Sequence, residues 1–174
     1  IDNYLNRQTF QIIIIIFINF KVTMSKIYSL SDLKFIKPKT LKSWFTNGSS
    51  PHGKFCVVDV RDSDFVGGHI KGCYHYPAAN FHYTLNELYQ KIYQNKIQDI
   101  VFHCALSQVR GPSSTLKFLR GIDDITDSKV KSYFNDDNIR VYVLHGGFTK
   151  WQEEYGNDKE VTEAYDQEIW EFGS

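Results

Sequence analysis

The sequence predicts an α/β fold of three layers, a central and mainly parallel five-stranded sheet flanked by helices, and three observations carry that prediction. Short, continuous apolar runs such as FCVVDV at 55–60 and IRVYVL at 139–144 have strand length and lack alternation, as strands buried on both faces do. Stretches with apolar residues at helical spacing separate them, and strands that alternate with helices build a parallel sheet. The polar, Gly-rich segments follow strands, at the carboxyl edge where such sheets place their sites.

Taken in order, an extended start after Met24 leads to a helix opening near Pro38, with Leu41, Trp44 and Phe45 on one face and Gly48 beyond its end. The strand at 55–60 precedes RDSDFVGGHIKG, a loop by its polarity and glycines. CYHYP at 73–77 is a short strand, and FHYTLNELYQKIYQ at 81–94 is a helix in which Leu85, Leu88 and Ile92 recur at helical spacing. Asp99–His103 is a buried strand, and Pro112–Arg120 a helix with Leu116 and Leu119 turned inward. Residues 121–138 form a polar excursion with a helical piece at Val130–Phe134. The strand at 139–144 and HGGFTKWQEEYG at 145–156, a Gly-Gly turn and a helix carrying Phe148 and Trp151, close the pattern.

Composition bounds the class. A chain of 174 residues with 42% apolar and 16% aromatic content fits one globular domain, and a formal net charge of zero offers neither a nucleic-acid surface nor a polybasic membrane anchor. Three cysteines, Cys56, Cys73 and Cys104, do not form a secreted disulfide framework, which points to a reducing cytoplasmic or nuclear setting. The apolar run Ile12–Ile18 is shorter than the roughly 20 residues a spanning helix needs. Met24 is the only methionine, so residues 1–23 read as a non-native or disordered extension and 24–174 as one catalytic domain; a signal or anchor segment is the competing reading.

The segment DIVFHCALSQVRGPSS at 99–114 carries the chemistry. A strand delivers Cys104 to a tight loop, Arg110 follows six positions later, and Pro112 suits the first turn of a helix. The amides of Ala105, Leu106, Ser107, Gln108, Val109 and Arg110, a helix dipole and the Arg110 guanidinium together suit a tetrahedral oxyanion. A free thiol ionises near a pKa of about 8.5, and the same field pulls it down, making Cys104 a nucleophile aimed at phosphorus. Cysteine and arginine at this spacing recur by chance, as a buried apolar side chain and a surface charge. The strand before the motif and the helix after it are what raise the chemical reading above that.

Three segments in fixed order resemble the rhodanese-fold domains: VVDVRDSDFVGGHIKGCYHYP at 57–77, the cysteine loop, and VYVLHGGFTKW at 141–151. The loop HCALSQVRGP is similar to that of the rhodanese-fold phosphatases, meaning the M-phase inducer dual-specificity phosphatases, the fungal arsenate reductases and small fungal relatives of both. Sulfurtransferases of the fold have six loop positions, whereas Cys104–Arg110 spans seven, and one residue adds up to about 3.5 Å of contour. The resemblance therefore implies a cysteine-dependent phosphatase acting on phosphotyrosine and other aryl phosphates through a phosphocysteine. Its partner is a phosphorylated protein or a small oxyanion. Arsenate reductase, with glutathione as thiol donor, is the alternative; thiosulfate sulfurtransferase and a silent binding module rank lower.

No cofactor is implied, and His69, His75, His82, His103 and the cysteines lack metal-ligand spacing. Asp59 and Arg61 read as a structural pair, His69 as a partner of loop backbone, and His103 as support for the nucleophile. The M-phase inducers place a glutamate after the nucleophile, where this chain has Ala105, and a second cysteine where it has Val60. The general acid is thus unassigned, with Asp123, Asp124, Asp136 and Asp137 as candidates. The acidic tail at 153–171 reads as a solvated face with Tyr165, Ile169 and Trp170 packed back on the domain.

Overall fold

The structure, a computed structural model, describes residues 27–172. The extension expected at 1–23 lies outside the described residues. Strand β1 (Lys34–Ile36) leads to helix α1 (Pro38–Asn47), which has proline in its first turn and ends at Gly48 in the left-handed region. Strands β2 (Phe55–Asp59), β3 (His69–Ile70) and β4 (Tyr74–His75) precede helix α2 (Phe81–Asn95). Strand β5 (Asp99–His103) is followed by α3 (Arg110–Gly121) and the short α4 (Ser128–Tyr133), whose Asp127 caps two amides. Strand β6 (Arg140–Leu144), α5 (Gly147–Tyr155), β7 (Thr162–Glu163) and α6 (Gln167–Phe172) complete the order.

Five parallel strands form the predicted central sheet, and their order is β1-β6-β5-β2-β4. Successive residues of β2 and β5 point to opposite faces, and each face meets its own helices. Cys56, Val58, Ile100 and Phe102 pack with Phe81, Leu88 and Ile92 of α2, Phe118 of α3 and Val130 of α4. Val57 and Val101 pack on the other face with Leu41 and Trp44 of α1 and Phe148 and Trp151 of α5. Every strand of β2 and β5 is therefore apolar on both sides, which is why the sequence shows runs instead of alternation.

Three details depart from the sequence reading. Helix α3 starts at Arg110, two residues before Pro112; Leu116 is buried as expected, but Phe118 is buried more fully and Leu119 is only partly covered. An antiparallel ribbon joins β3 to β7, pairing His69 with Glu163, and strands of two residues are too short to show a period in sequence. His69 therefore lies 3.3 Å from the Glu163 carboxylate instead of holding loop backbone. The tail packs as expected: Trp170 meets Phe148, and its Nε1 donates to the Gly67 carbonyl at 2.7 Å.

Candidate active site

All the parallel strands end on one edge, so the loops after β2 (60–68), β5 (104–109) and β6 (145–146) meet there. Register brings Asp59, the last residue of β2, beside His103, the last of β5. Cys104 follows at once and is buried at 3% exposure. The next residues turn sharply, with Ser107 at φ +53°, and this turn aims the Ser107 N–H at Cys104 Sγ, 3.2 Å away. Ser107 Oγ in turn accepts from the Cys104 N–H at 3.4 Å. The amides of Ala105, Leu106, Gln108 and Val109 donate to no partner among the described residues. The N-terminus of α3 takes no side-chain cap, so the positive end of its dipole faces the same loop.

The loop keeps its shape because α5 holds its carbonyls from behind. Phe148 N–H donates to Cys104 O and Thr149 N–H to Ala105 O, both at 2.9 Å. Gly147 makes this approach feasible: its φ is +59°, and a Cβ there would stand 2.3 Å from Ala105 O. The Gly-Gly turn of the sequence is thus part of the loop's mould.

Beneath the loop lies a buried charge cluster. The Arg61 guanidinium forks onto Asp59 through Nε at 3.0 Å and Nη2 at 2.7 Å, and Nη2 also donates to Gly68 O at 2.9 Å. Its faces are covered by Phe148 at 4.3 Å and Phe65 at 4.8 Å. Burial pushes the Asp59 carboxyl up, but the neighbouring His103 and Arg61 outweigh it, and the net direction is below the usual carboxylate range. Burial pushes His103 below the ordinary imidazole value, which keeps the ring neutral, so the downward pull on Asp59 rests on Arg61 at neutral pH. His103 Nδ1 lies 3.2 Å from Cys104 O, while Nε2 stands 3.4 Å from Asp59 without hydrogen-bond geometry. Asp59 and Arg61 therefore brace the loop after β2, as the sequence suggested, and His103 fills the floor under Cys104.

Arg110 opens α3 at the rim, in the electrostatic reach of Cys104. Its guanidinium is not turned into the loop. It forks onto Asp64, with Nη1 at 2.6 Å from Oδ1 and Nη2 at 2.5 Å from Oδ2, and Nη1 reaches Asp62 Oδ2 at 3.1 Å. These hydrogen bonds, Asp64 first, raise Arg110 further above its ordinary value and draw the Asp64 carboxyl down to about 2. Asp62 is tied by its other oxygen to the Ala79 N–H at 2.9 Å.

Asp62 and Asp64 are the site residues the sequence reading missed. The available signal was two acids at alternate positions in the loop at the carboxyl end of β2. The four acids proposed instead are misplaced. Asp123 and Asp136 line a cavity of about 390 Å³ with Leu119 at the far end of α3 and Arg140 at the start of β6, and Asp124 and Asp137 lie beside them in sequence. A helix of 12 residues is about 18 Å long and carries them to the opposite edge of the sheet.

Leu106 at 51% and Val109 at 71% exposure form an apolar rim around the buried sulfur. Cys56 is a buried core thiol and Cys73 a partly buried one packed against the other core; burial raises both, Cys73 to about 12. Among the described residues no three His, Cys, Asp or Glu side chains group to hold a metal ion, and no helix is long and apolar enough to cross a membrane.

A model of the rhodanese-like domain matches residues 37–154. The CDC25-like phosphatase YCH1 of Saccharomyces cerevisiae is 35% identical over 153 residues, covering 82% of this chain and 97% of that protein. Arsenate reductase 2.2 of Oryza sativa subsp. japonica is 39% identical over 101 residues, 57% of this chain and 70% of that one. The crystal structure of Saccharomyces cerevisiae Ygr203w, a homologue of single-domain rhodanese and the Cdc25 phosphatase catalytic domain, superposes with a TM-score of 0.72 at 33% identity, covering 87% of this chain and 99% of that one.

Proposed function

The chain belongs to the rhodanese-like domain family, and from that premise we propose that it is a cysteine-dependent phosphatase acting on aryl phosphates, phosphotyrosine among them. One observation carries the reading: the seven positions Cys104–Arg110 form a cradle with sulfur on its floor, unpartnered amides and a helix N-terminus around it, and a guanidinium on its rim. That set of donors suits the three equatorial oxygens of a phosphoryl group in flight, whose charge grows where the amides point. Cys104 attacks phosphorus, the aryl oxygen leaves, and water then releases phosphate from the phosphocysteine. The apolar rim of Leu106 and Val109 favours an aromatic ring over a polar alkyl chain.

Arsenate reduction is the second reading, favoured by the likeness to arsenate reductase 2.2. The same cradle takes arsenate, another tetrahedral oxyanion. Reduction needs a second thiol, and Cys56 and Cys73 are poor candidates because burial keeps both protonated. Glutathione would have to supply it. One experiment separates the readings: turnover of p-nitrophenyl phosphate and phosphotyrosyl peptide, of arsenate with glutathione, and of thiosulfate with cyanide, on one preparation. Aryl phosphate turnover dominates if the proposal is right. Glutathione-dependent arsenate loss without phosphatase activity reverses the order.

A further inference from the structure

We propose that Asp64 is the general acid of this site, held in reserve by Arg110 until the substrate's own oxyanion takes the arginine away. The proposal rests on the phosphatase reading and adds the proton donor that neither the loop nor Ala105 supplies. Arg110 has one planar fork, and in the resting site both of its arms lie on Asp64. A carboxylate and a phosphoryl group present matching pairs of oxygens, so the two compete for the same fork. A substrate dianion above Cys104 wins Arg110 by charge. Asp64 then loses its cation and gains an anionic neighbour, two changes that both favour its protonated form.

The surroundings of Asp64 support that exchange. Both acids are partly exposed, Asp64 at 40% and Asp62 at 31%, and each accepts one loop N–H, Asp64 Oδ1 from Asp62 at 3.0 Å and Asp62 Oδ1 from Ala79 at 2.9 Å; Asp64 is the one on which both arms of the Arg110 fork lie. The groups facing it are Arg110 from α3, the Asp62 carboxylate and N–H on its own loop, and Arg61, whose Nη1 lies 3.5 Å from the Asp64 carbonyl. His69 and His75 stack on the adjacent Phe65 and close the far side of the loop. Once Arg110 has left, the acid's charged neighbours are Asp62, the phosphoryl group and Arg61, whose guanidinium is engaged by Asp59 and Gly68 O.

The cycle balances. Asp64 takes a proton from solvent as Arg110 moves to the substrate. The Cys104 S–P bond forms as the P–O(aryl) bond breaks, and the electron pair left on the aryl oxygen takes the Asp64 proton. In the second half, water attacks phosphorus, its proton passes to the Asp64 carboxylate, and the S–P electron pair returns to sulfur. Phosphate leaves, Asp64 releases its proton, and Arg110 falls back onto it.

The test compares wild type, Asp64→Asn and Asp62→Asn on a series of aryl phosphates of rising leaving-group pKa, together with inorganic phosphate binding by calorimetry and a melting curve for each protein. For Asp64→Asn we expect phosphate to bind about 5-fold more tightly, because nothing competes for Arg110. Turnover should fall by about 10²-fold on phosphotyrosyl substrate, whose leaving group has a pKa near 10, and by less than about 3-fold on p-nitrophenyl phosphate. Asp64→Glu should regain part of the loss. An Asp64→Asn protein with tighter phosphate binding but an unchanged leaving-group slope reduces Asp64 to a latch and overturns the acid role. So does a slope that steepens in Asp62→Asn and not in Asp64→Asn. A wild type that turns over no aryl phosphate refutes the parent reading, while an active wild type with an unaltered Asp64→Asn slope refutes the acid alone.

Discussion

Replacing Gly147 by alanine should damage the cysteine loop from behind without touching it, and the size of the effect follows from the geometry. Gly147 has φ +59°, where an alanine costs about 1–2 kcal/mol in backbone strain. Its new Cβ would stand 2.3 Å from Ala105 O and 2.4 Å from Cys104 O, both main-chain atoms that cannot swing aside. To regain a 3.0 Å contact, the start of α5 must retreat by about 0.7 Å. The hydrogen bonds from Phe148 N–H and Thr149 N–H, now 2.9 Å, would stretch beyond useful range at about 1 kcal/mol each. The total is about 3–4 kcal/mol, or a melting temperature lower by about 10 °C in a domain of this size. Gly48→Ala is the control. It too has positive φ, +71°, but no atom within 4 Å of the added carbon, so it pays the strain alone and should fall by about 3 °C. The assay is thermal unfolding of both variants beside aryl phosphate turnover, which should drop at least about 10-fold in Gly147→Ala only. If the two variants melt together and Gly147→Ala keeps full activity, the brace from α5 is not what shapes the loop.

Two further outcomes bear on the proposed chemistry and one on the fold. Cys104→Ser should lose turnover by at least about 10³-fold with an unchanged melting curve, because the substitution is nearly isosteric and a serine oxygen is a far poorer nucleophile than a cysteine sulfur; retained turnover would remove Cys104 as nucleophile. Arg110→Lys should weaken vanadate binding by about 10-fold or more, since an ammonium cannot hold two oxygens at once, and wild-type affinity would refute the fork. Arg61→Ala strips a fully buried carboxylate of its partner and should cost about 3–5 kcal/mol, read by chemical denaturation, with a loss below about 1 kcal/mol refuting the buried pairing with Asp59.

The parallel α/β sheet was legible in the sequence, because burial on both faces leaves unbroken apolar runs such as Phe55–Val58 and Ile100–Phe102, and these alternate with helical stretches. It also located Cys104, the loop to Arg110, and the Gly-Gly before Phe148, since these are local: a strand end, a tight turn and a helix start are contiguous in the chain. Side-chain period was right in part where a helix had two partners: Leu116 of α3 is buried as expected, but Leu119 is only partly covered and the residue that fills the space against Phe102 and Tyr89 is Phe118.

What surrounds the sulfur depends on contacts between elements far apart in the chain. The partner of Arg110 is 46 residues away, and no periodicity couples α3 to the loop after β2; parallel register, which sets Asp59 beside His103, brings them together. The same architecture sends the first acids after Arg110 in the chain, Asp123 and Asp124, to the opposite edge. A parallel sheet gathers the carboxyl ends of its strands and disperses the far ends of its helices, so proximity in sequence misleads there and strand order decides.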